Sequence, residues 1–158
     1  MKKQLTLSAA EELCSFYLNK VNDSKLKSFL LVHSSNVSKT AGMLGKLQSL
    51  DINLLRIAGF VHDLGYSIEE ENHAQHSLEL LEQSGYDLTE TLKDCILNHG
   101  AGFKPLTEEG KVFQIADKLS IVDFNILSVF LDNGSFSKED IFALKEFIMK
   151  AFNSLDNL

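Results

Sequence analysis

Apolar side chains recur at three- and four-residue intervals along most of the chain, the spacing that gathers them on one face of an α-helix. From Ser24 to Leu47, the positions Leu26, Phe29, Leu30, Val37, Ala41 and Leu44 form one such stripe and predict a long helix. Shorter helices are predicted around it. Residues 9–18 have Ser8 as a cap, with Glu11 completing a capping box. Residues 52–62 follow Asp51 as a cap and stop near Gly65. Asn72 caps a helix that carries Leu78 and Leu81 and ends before Gly85. Residues 87–98 form another, which stops at Gly100, and residues 101–105 are a loop. Thr107 caps a helix that runs through Leu119 and on towards Phe130. After a turn at Asp132-Asn133-Gly134, Ser137 and Asp140 open a last helix to about Phe152. No run alternates with the period of two that marks a half-buried strand. The expectation is an all-α bundle of about six to eight helices, forming a single domain over residues 1–158.

Composition changes this picture little. One proline and no tryptophan in 158 residues favour long helices over many short strands. The net charge of −7 argues against a protein whose main task is gripping a large nucleic acid, which needs a basic surface. It leaves room for a small phosphorylated ligand if bound cations supply the positive charge. Cys14 and Cys95 lie far apart with no C-x-x-C, so reduced core thiols are expected. The basic start MKK runs into acidic residues, unlike a secretory leader, and no stretch approaches the ~20 apolar residues that span a bilayer. The default expectation is a cytoplasmic protein with no membrane partner.

The histidines carry the chemistry. His33 shares its helical face with Leu30, Val37, Ala41 and Leu44. His62 and Asp63 close an apolar helix, His99 follows Ile96 and Leu97 at another helix end, and Asp117 shares a face with Phe113 and Ile121. One inward histidine is ordinarily a hydrogen-bonded core residue, and one buried aspartate is ordinarily a cap. The whole series, His33, then His62-Asp63, then His99, then Asp117, reads differently. Converging imidazoles and carboxylates in a helical core suit a divalent transition metal, and an unpaired buried carboxylate is costly. Gly42-x-x-Gly45-Lys46 has a superficial likeness to a phosphate loop. The pattern fails at Thr40 and Leu47 and no strand precedes it, so it is read as small residues at a close helix crossing.

At LLVHSSNVSKTAGMLG around His33, IAGFVHDLGY around His62 and Asp63, and FQIADKLS around Asp117, the sequence resembles the HD superfamily of metal-dependent phosphohydrolases. The resemblance covers roughly residues 26–122. It implies an all-α fold in which His33, His62, Asp63 and Asp117 bind one metal, with Asp63 bridging to a second. Binuclear members of the family hold that second ion with two more histidines. HAQHSLELL, with Ser77 as its small residue, places one at His73, and ILNHG places the other at His99. His76 falls between motif positions and is a candidate substrate contact or an exposed helix residue. Where many members read H-D-x-G-K this chain has Tyr66, itself a candidate substrate contact, and it lacks G-Y-P and H-D-x-x-E-D. Cyclic-dinucleotide and guanosine tetraphosphate substrates are therefore not favoured. Lys104 and Lys118 are candidate phosphate contacts in place of the missing lysine.

The expectation that follows is metal-assisted hydrolysis of a nucleotide or another small phosphate ester. One or two divalent ions (Mn, Fe, Co, Ni or Zn) would act, with Asp63 as bridging ligand and water-orienting residue. Two alternatives stay open. The same ligand set would serve an HD-fold di-iron oxygenase acting on a small organophosphonate or polyol, or a non-catalytic metal-binding sensor or partner module.

Overall fold

The structure is a computed structural model that describes residues 3–123 and positions 126, 128, 129, 142, 145, 146, 148, 149 and 153. The predicted turn at Asp132-Asn133-Gly134, Phe130, and the Ser137, Asp140 and Phe152 bounds of the predicted last helix lie outside those residues.

Six α-helices build the described part: α1 (Leu7–Leu18), α2 (Ser24–Leu47), α3 (Ile52–Val61), α4 (His73–Gln83), α5 (Glu90–Leu97) and α6 (Glu108–Leu119). Single 3-10 turns cover Leu64–Ser67 and Ser120–Val122. None of the described helices is long and apolar enough to cross a membrane. Asp23, Asp51, Thr89 and Thr107 each cap a helix by accepting the backbone N–H three residues on.

The long stripe on α2 packs against α3, and three glycines set how closely. A Cβ on Gly59 would lie 2.4 Å from the Ser38 backbone, and one on Gly45 would lie 2.3 Å from Leu55 Cδ1. Gly42 would meet Arg56 in the same way, so the glycine pair on α2 is a packing feature. Leu18, Leu30, Val37, Leu55, Val61, Leu64, Leu81, Ile96 and Phe113 fill the interior. Each contributes about 1.5–3 kcal/mol through apolar burial.

Three helix ends differ from the sequence expectation. The first helix starts at Leu7, because Thr6 is extended and its Oγ1 accepts from Ala9 N at 3.2 Å. Ser8 is already inside the helix, where its hydroxyl donates to Glu12, so the expected capping box does not form. The fifth helix starts at Glu90 because Tyr86–Asp87 (β2) pairs in parallel with Lys3–Gln4 (β1), a two-residue ladder too short to show a period. The sixth stops at Leu119. Ser120 Oγ takes the Asp117 carbonyl at 2.8 Å, an acceptor that another α-helical turn would need, and Asp123 is extended.

Candidate metal centre

Five helices and one 3-10 turn bring the histidines and aspartates together. His33 lies mid-way along α2, His62 caps the C-terminus of α3, and Asp63 leads into the 3-10 turn at Leu64–Ser67. His73 opens α4, His99 stands two residues past the end of α5, and Asp117 occupies the last turn of α6. All are buried except His73, whose side chain is 21% exposed and so gives the cluster an open side.

The four imidazoles present Nε2 to two carboxylates. Asp117 Oδ1 lies 2.9 Å from His33 Nε2 and 3.5 Å from His62 Nε2. Asp63 divides its oxygens. Its Oδ2 faces His62 at 3.2 Å and His33 at 3.8 Å, and its Oδ1 faces His73 at 3.4 Å and His99 at 3.7 Å. Ligand atoms of His33, His62 and Asp117 lie within 4.8 Å of one another, as do those of His62, Asp63 and His99.

The opposite face of each ring fixes its tautomer. Carbonyls only accept, so Nδ1 must donate in three cases: His62 to Gly59 O at 3.1 Å, His73 to Glu70 O at 2.7 Å, and His99 to Ile96 O at 2.6 Å. Ser120 Oγ spends its proton on Asp117 O, so His33 Nδ1 donates to Ser120 at 3.2 Å. In the neutral rings every Nε2 is then a lone pair. His73 and His99 turn two of these lone pairs towards each other at 3.2 Å. His62 Nε2 is fully buried and close to both carboxylates, yet in hydrogen-bonding alignment with neither. Lone pairs and carboxylate oxygens crowded together need protons or cations between them, and this donor set fits divalent transition ions.

The HD domain family model matches residues 30–121, more than half of the chain. The chain belongs to the HD domain family. A deoxyguanosinetriphosphate triphosphohydrolase-like protein of Caldanaerobacter subterraneus is 32% identical over 115 residues, covering 61% of this chain and 34% of that protein. A ribonuclease Y of Clostridium perfringens is 32% identical over 94 residues, covering 58% of this chain and 18% of that protein. The chain thus spans about a third or less of the length of these relatives. A crystal structure described as a predicted HD superfamily hydrolase, from an uncultured Thermotogales bacterium, matches with a TM-score of 0.59. It covers 92% of this chain and 88% of its own at 18% identity, a likeness of fold.

Within this HD domain the electrostatics follow from burial and proximity. Burial alone would push His62 down, but Asp63 and Asp117 outweigh it and hold the ring protonated up to about 10 in the ion-free protein. Burial likewise opposes ionisation of Asp63 and Asp117, and the facing imidazoles overcome it and keep both carboxyls below the usual range. His99 is pushed down to about 4, first by burial and then by the charge on His62.

The remaining candidates take separate places. Lys118 Nζ sits 2.5 Å from Asp117 Oδ2, beside the cluster. Tyr66 stacks on His73 with ring centroids 4.4 Å apart. His76 lies outside the cluster and engages Glu79 at 3.0 Å and Glu69 at 3.1 Å with its two ring nitrogens. Lys104 is exposed on the loop between α5 and α6.

Supporting residues went unread in the sequence. Ser77 is more than a small residue. Its hydroxyl accepts from Gly65 N at 2.9 Å and lies 2.7 Å from His62 O and 2.8 Å from His73 O, tying together both histidine-bearing segments. Ser120, Gln114 and Asp94 also carry no motif of their own. Only the buried face of α6 hints at Gln114, which sits one turn before Asp117.

Proposed function

We propose that this HD domain is a metal-dependent phosphohydrolase acting on a nucleotide or another small phosphate ester. One divalent ion would be held by His33, His62, Asp117 and Asp63, and a second by Asp63, His73 and His99. The observation that carries this reading is the division of Asp63, whose two oxygens face different pairs of imidazoles. A carboxylate so placed would let Asp63 serve both ions. Ions bound there supply Lewis-acid polarisation of a phosphoryl oxygen and a water acidified towards pKa ~7.

The protein's own part is positional. The Nδ1 bonds lock four rings with Nε2 inward, so little reorganisation is needed when ligand arrives. Lys118 engages Asp117 Oδ2 and leaves Oδ1 to the histidines. Asp63, near the centre of the cluster, orients the attacking water. Substrate enters over the partly exposed His73, past Tyr66. Lys118, beside Asp117, is a candidate for a phosphate contact, as is Lys104 on the loop between α5 and α6. Names of relatives that refer to a triphosphohydrolase and a ribonuclease support phosphate-ester chemistry over the oxygenase alternative.

The test is elemental analysis of protein purified without chelator, followed by phosphate-release assays. The panel comprises nucleoside mono- and triphosphates and a short RNA oligonucleotide, with the wild type and Asp63→Asn. Two transition ions per chain and turnover abolished by Asp63→Asn are expected. Failure of every ester, together with two irons and oxygen uptake on a polyol or phosphonate, would replace the hydrolase reading by the oxygenase one.

A further inference from the structure

Gln114 is 5% exposed on α6, one turn before Asp117. The two N–H groups of its side-chain Nε2 are shared among three backbone carbonyls: Asn98 O at 3.0 Å, Gly100 O at 2.9 Å and Phe103 O at 3.2 Å. The first two belong to the residues on either side of His99. Three acceptors around one nitrogen fix the orientation of the amide, since the flipped form would set its oxygen against all three carbonyls. Gln114 Oε1 is buried with no partner. The side chain thus tolerates an unsatisfied acceptor while its donor end is fully engaged.

The setting explains the need. His99 lies just beyond the end of α5, in non-helical chain, and on the side away from the cluster its ring is held by the bond from Nδ1 to Ile96 O. The far end of the same loop is gathered by Asp94, which accepts from Leu106 N, Thr107 N and Thr107 Oγ1. Asp94 collects donors, and Gln114 collects acceptors nearer to His99. Because Gln114 and Asp117 ride on one rigid helix, the clamp also sets where His99 stands relative to the carboxylates.

We propose that Gln114 is a positioning residue for the half of the centre that contains His99. It acts through the His99 backbone and controls occupancy of the second ion selectively. The inference rests on the two-ion reading above. It goes beyond that reading by assigning the selectivity to a residue that touches no ion.

The experiment is Mn²⁺ titration of the ion-free full chain, comparing wild type with Gln114→Met and Gln114→Glu. Methionine keeps the length and removes the donors, and glutamate sets charge against the three carbonyls. Hydrogen exchange of the 98–106 amides and thermal unfolding are recorded in parallel. Expected is a loss of about 10- to 100-fold in affinity for the second ion, which has fewer side chains to hold it and so binds the more weakly, the range seen for residues that orient ligands from behind. The tighter ion should change by less than about twofold, with faster exchange confined to the 98–106 segment. If Gln114→Glu does not fold, Gln114→Met decides. Two ions bound by Gln114→Met as tightly as by wild type would overturn the proposal and leave the two-ion reading intact. Equal weakening of both ions with a lowered melting point would show a purely structural role and also overturn it. One ion or none in the wild type would overturn the two-ion reading, and the proposal with it.

Discussion

Metal affinity should rise about tenfold per pH unit well above the ordinary histidine range, and the cause is His62. In the ion-free protein its ring stays protonated up to about 10, because Asp63 and Asp117 outweigh the effect of burial. An ion that takes the Nε2 lone pair must first displace that proton. At pH 7 the displacement costs about three pH units, or roughly 4 kcal/mol at about 1.4 kcal/mol per unit. The cost falls by one unit for each unit of pH. His99, already pushed down to about 4, has no proton to release in this window. An imidazole with the ordinary value of ~6.5 would be mostly deprotonated by pH 7.5 and would add no slope. The assay is the dissociation constant for Mn²⁺, from the free-ion paramagnetic resonance signal, between pH 7 and 8.5. A plot of log affinity against pH with slope near one is expected, and a flat line above pH 7.5 would refute the reasoning. The same shifts set the acid and base limits of the ion-free fold. His62 is raised, so its contribution is present below about 6.5 and lost as pH rises through about 10. Asp63 and Asp117 are lowered, so theirs is present above about 4 and lost in acid.

Three further outcomes test the supporting structure. His73→Ala should lower metal affinity more than His76→Ala, because His76 is occupied by Glu69 and Glu79 outside the cluster; equal losses by titration calorimetry would contradict this. Gly65→Ala should destabilise by about 3 kcal/mol in urea unfolding, since the added Cβ would stand 2.0 Å from the His73 carbonyl oxygen, a backbone atom that cannot swing away. Asp94→Ala should lose about 2–4 kcal/mol by leaving Leu106 N and Thr107 N without their acceptor. The gap between wild type and that variant should shrink as pH falls below about 4, because Asp94 is lowered and its contribution is lost on protonation; a gap independent of pH would contradict the assignment.

The residues facing the centre were legible in the sequence because their types violate the pattern around them. His33 and Asp117 are polar groups on apolar helical faces, and such exceptions stand out against a regular stripe. The bounds of α2 were equally readable, from Ser24 to Leu47, because one apolar stripe runs along the helix. What escaped was everything set by partners distant in sequence. The start of α5 was misplaced because Tyr86–Asp87 pairs with Lys3–Gln4 across most of the chain. Ser120, Gln114 and Asp94 look like ordinary helix or loop polar residues until their acceptors and donors arrive from other elements. The capping box expected at Ser8 lost to Thr6, two residues earlier, a competition between neighbouring hydroxyls that spacing alone does not decide.

The fold therefore does more than bring ligands together. A helix end leaves its last carbonyls without N–H partners, and the centre uses that surplus. Gly59 O in the last turn of α3 accepts from His62, and Ile96 O in the last turn of α5 accepts from His99. His73, at the start of α4, takes Glu70 O from the chain before the helix. In each case the acceptor lies three residues back, so the histidine segment fixes its own tautomer. His33 has no such recourse. It lies inside α2, where neighbouring carbonyls belong to the helix ladder, so its Nδ1 partner must come from elsewhere. Ser120 supplies it at 3.2 Å, and the same hydroxyl takes Asp117 O at the point where α6 stops. The end of α6 at Leu119 and the orientation of His33 thus share one cause. Ser120→Ala removes both contacts at once, and on this reasoning it should weaken ion binding at His33, His62 and Asp117 before it affects His73 and His99.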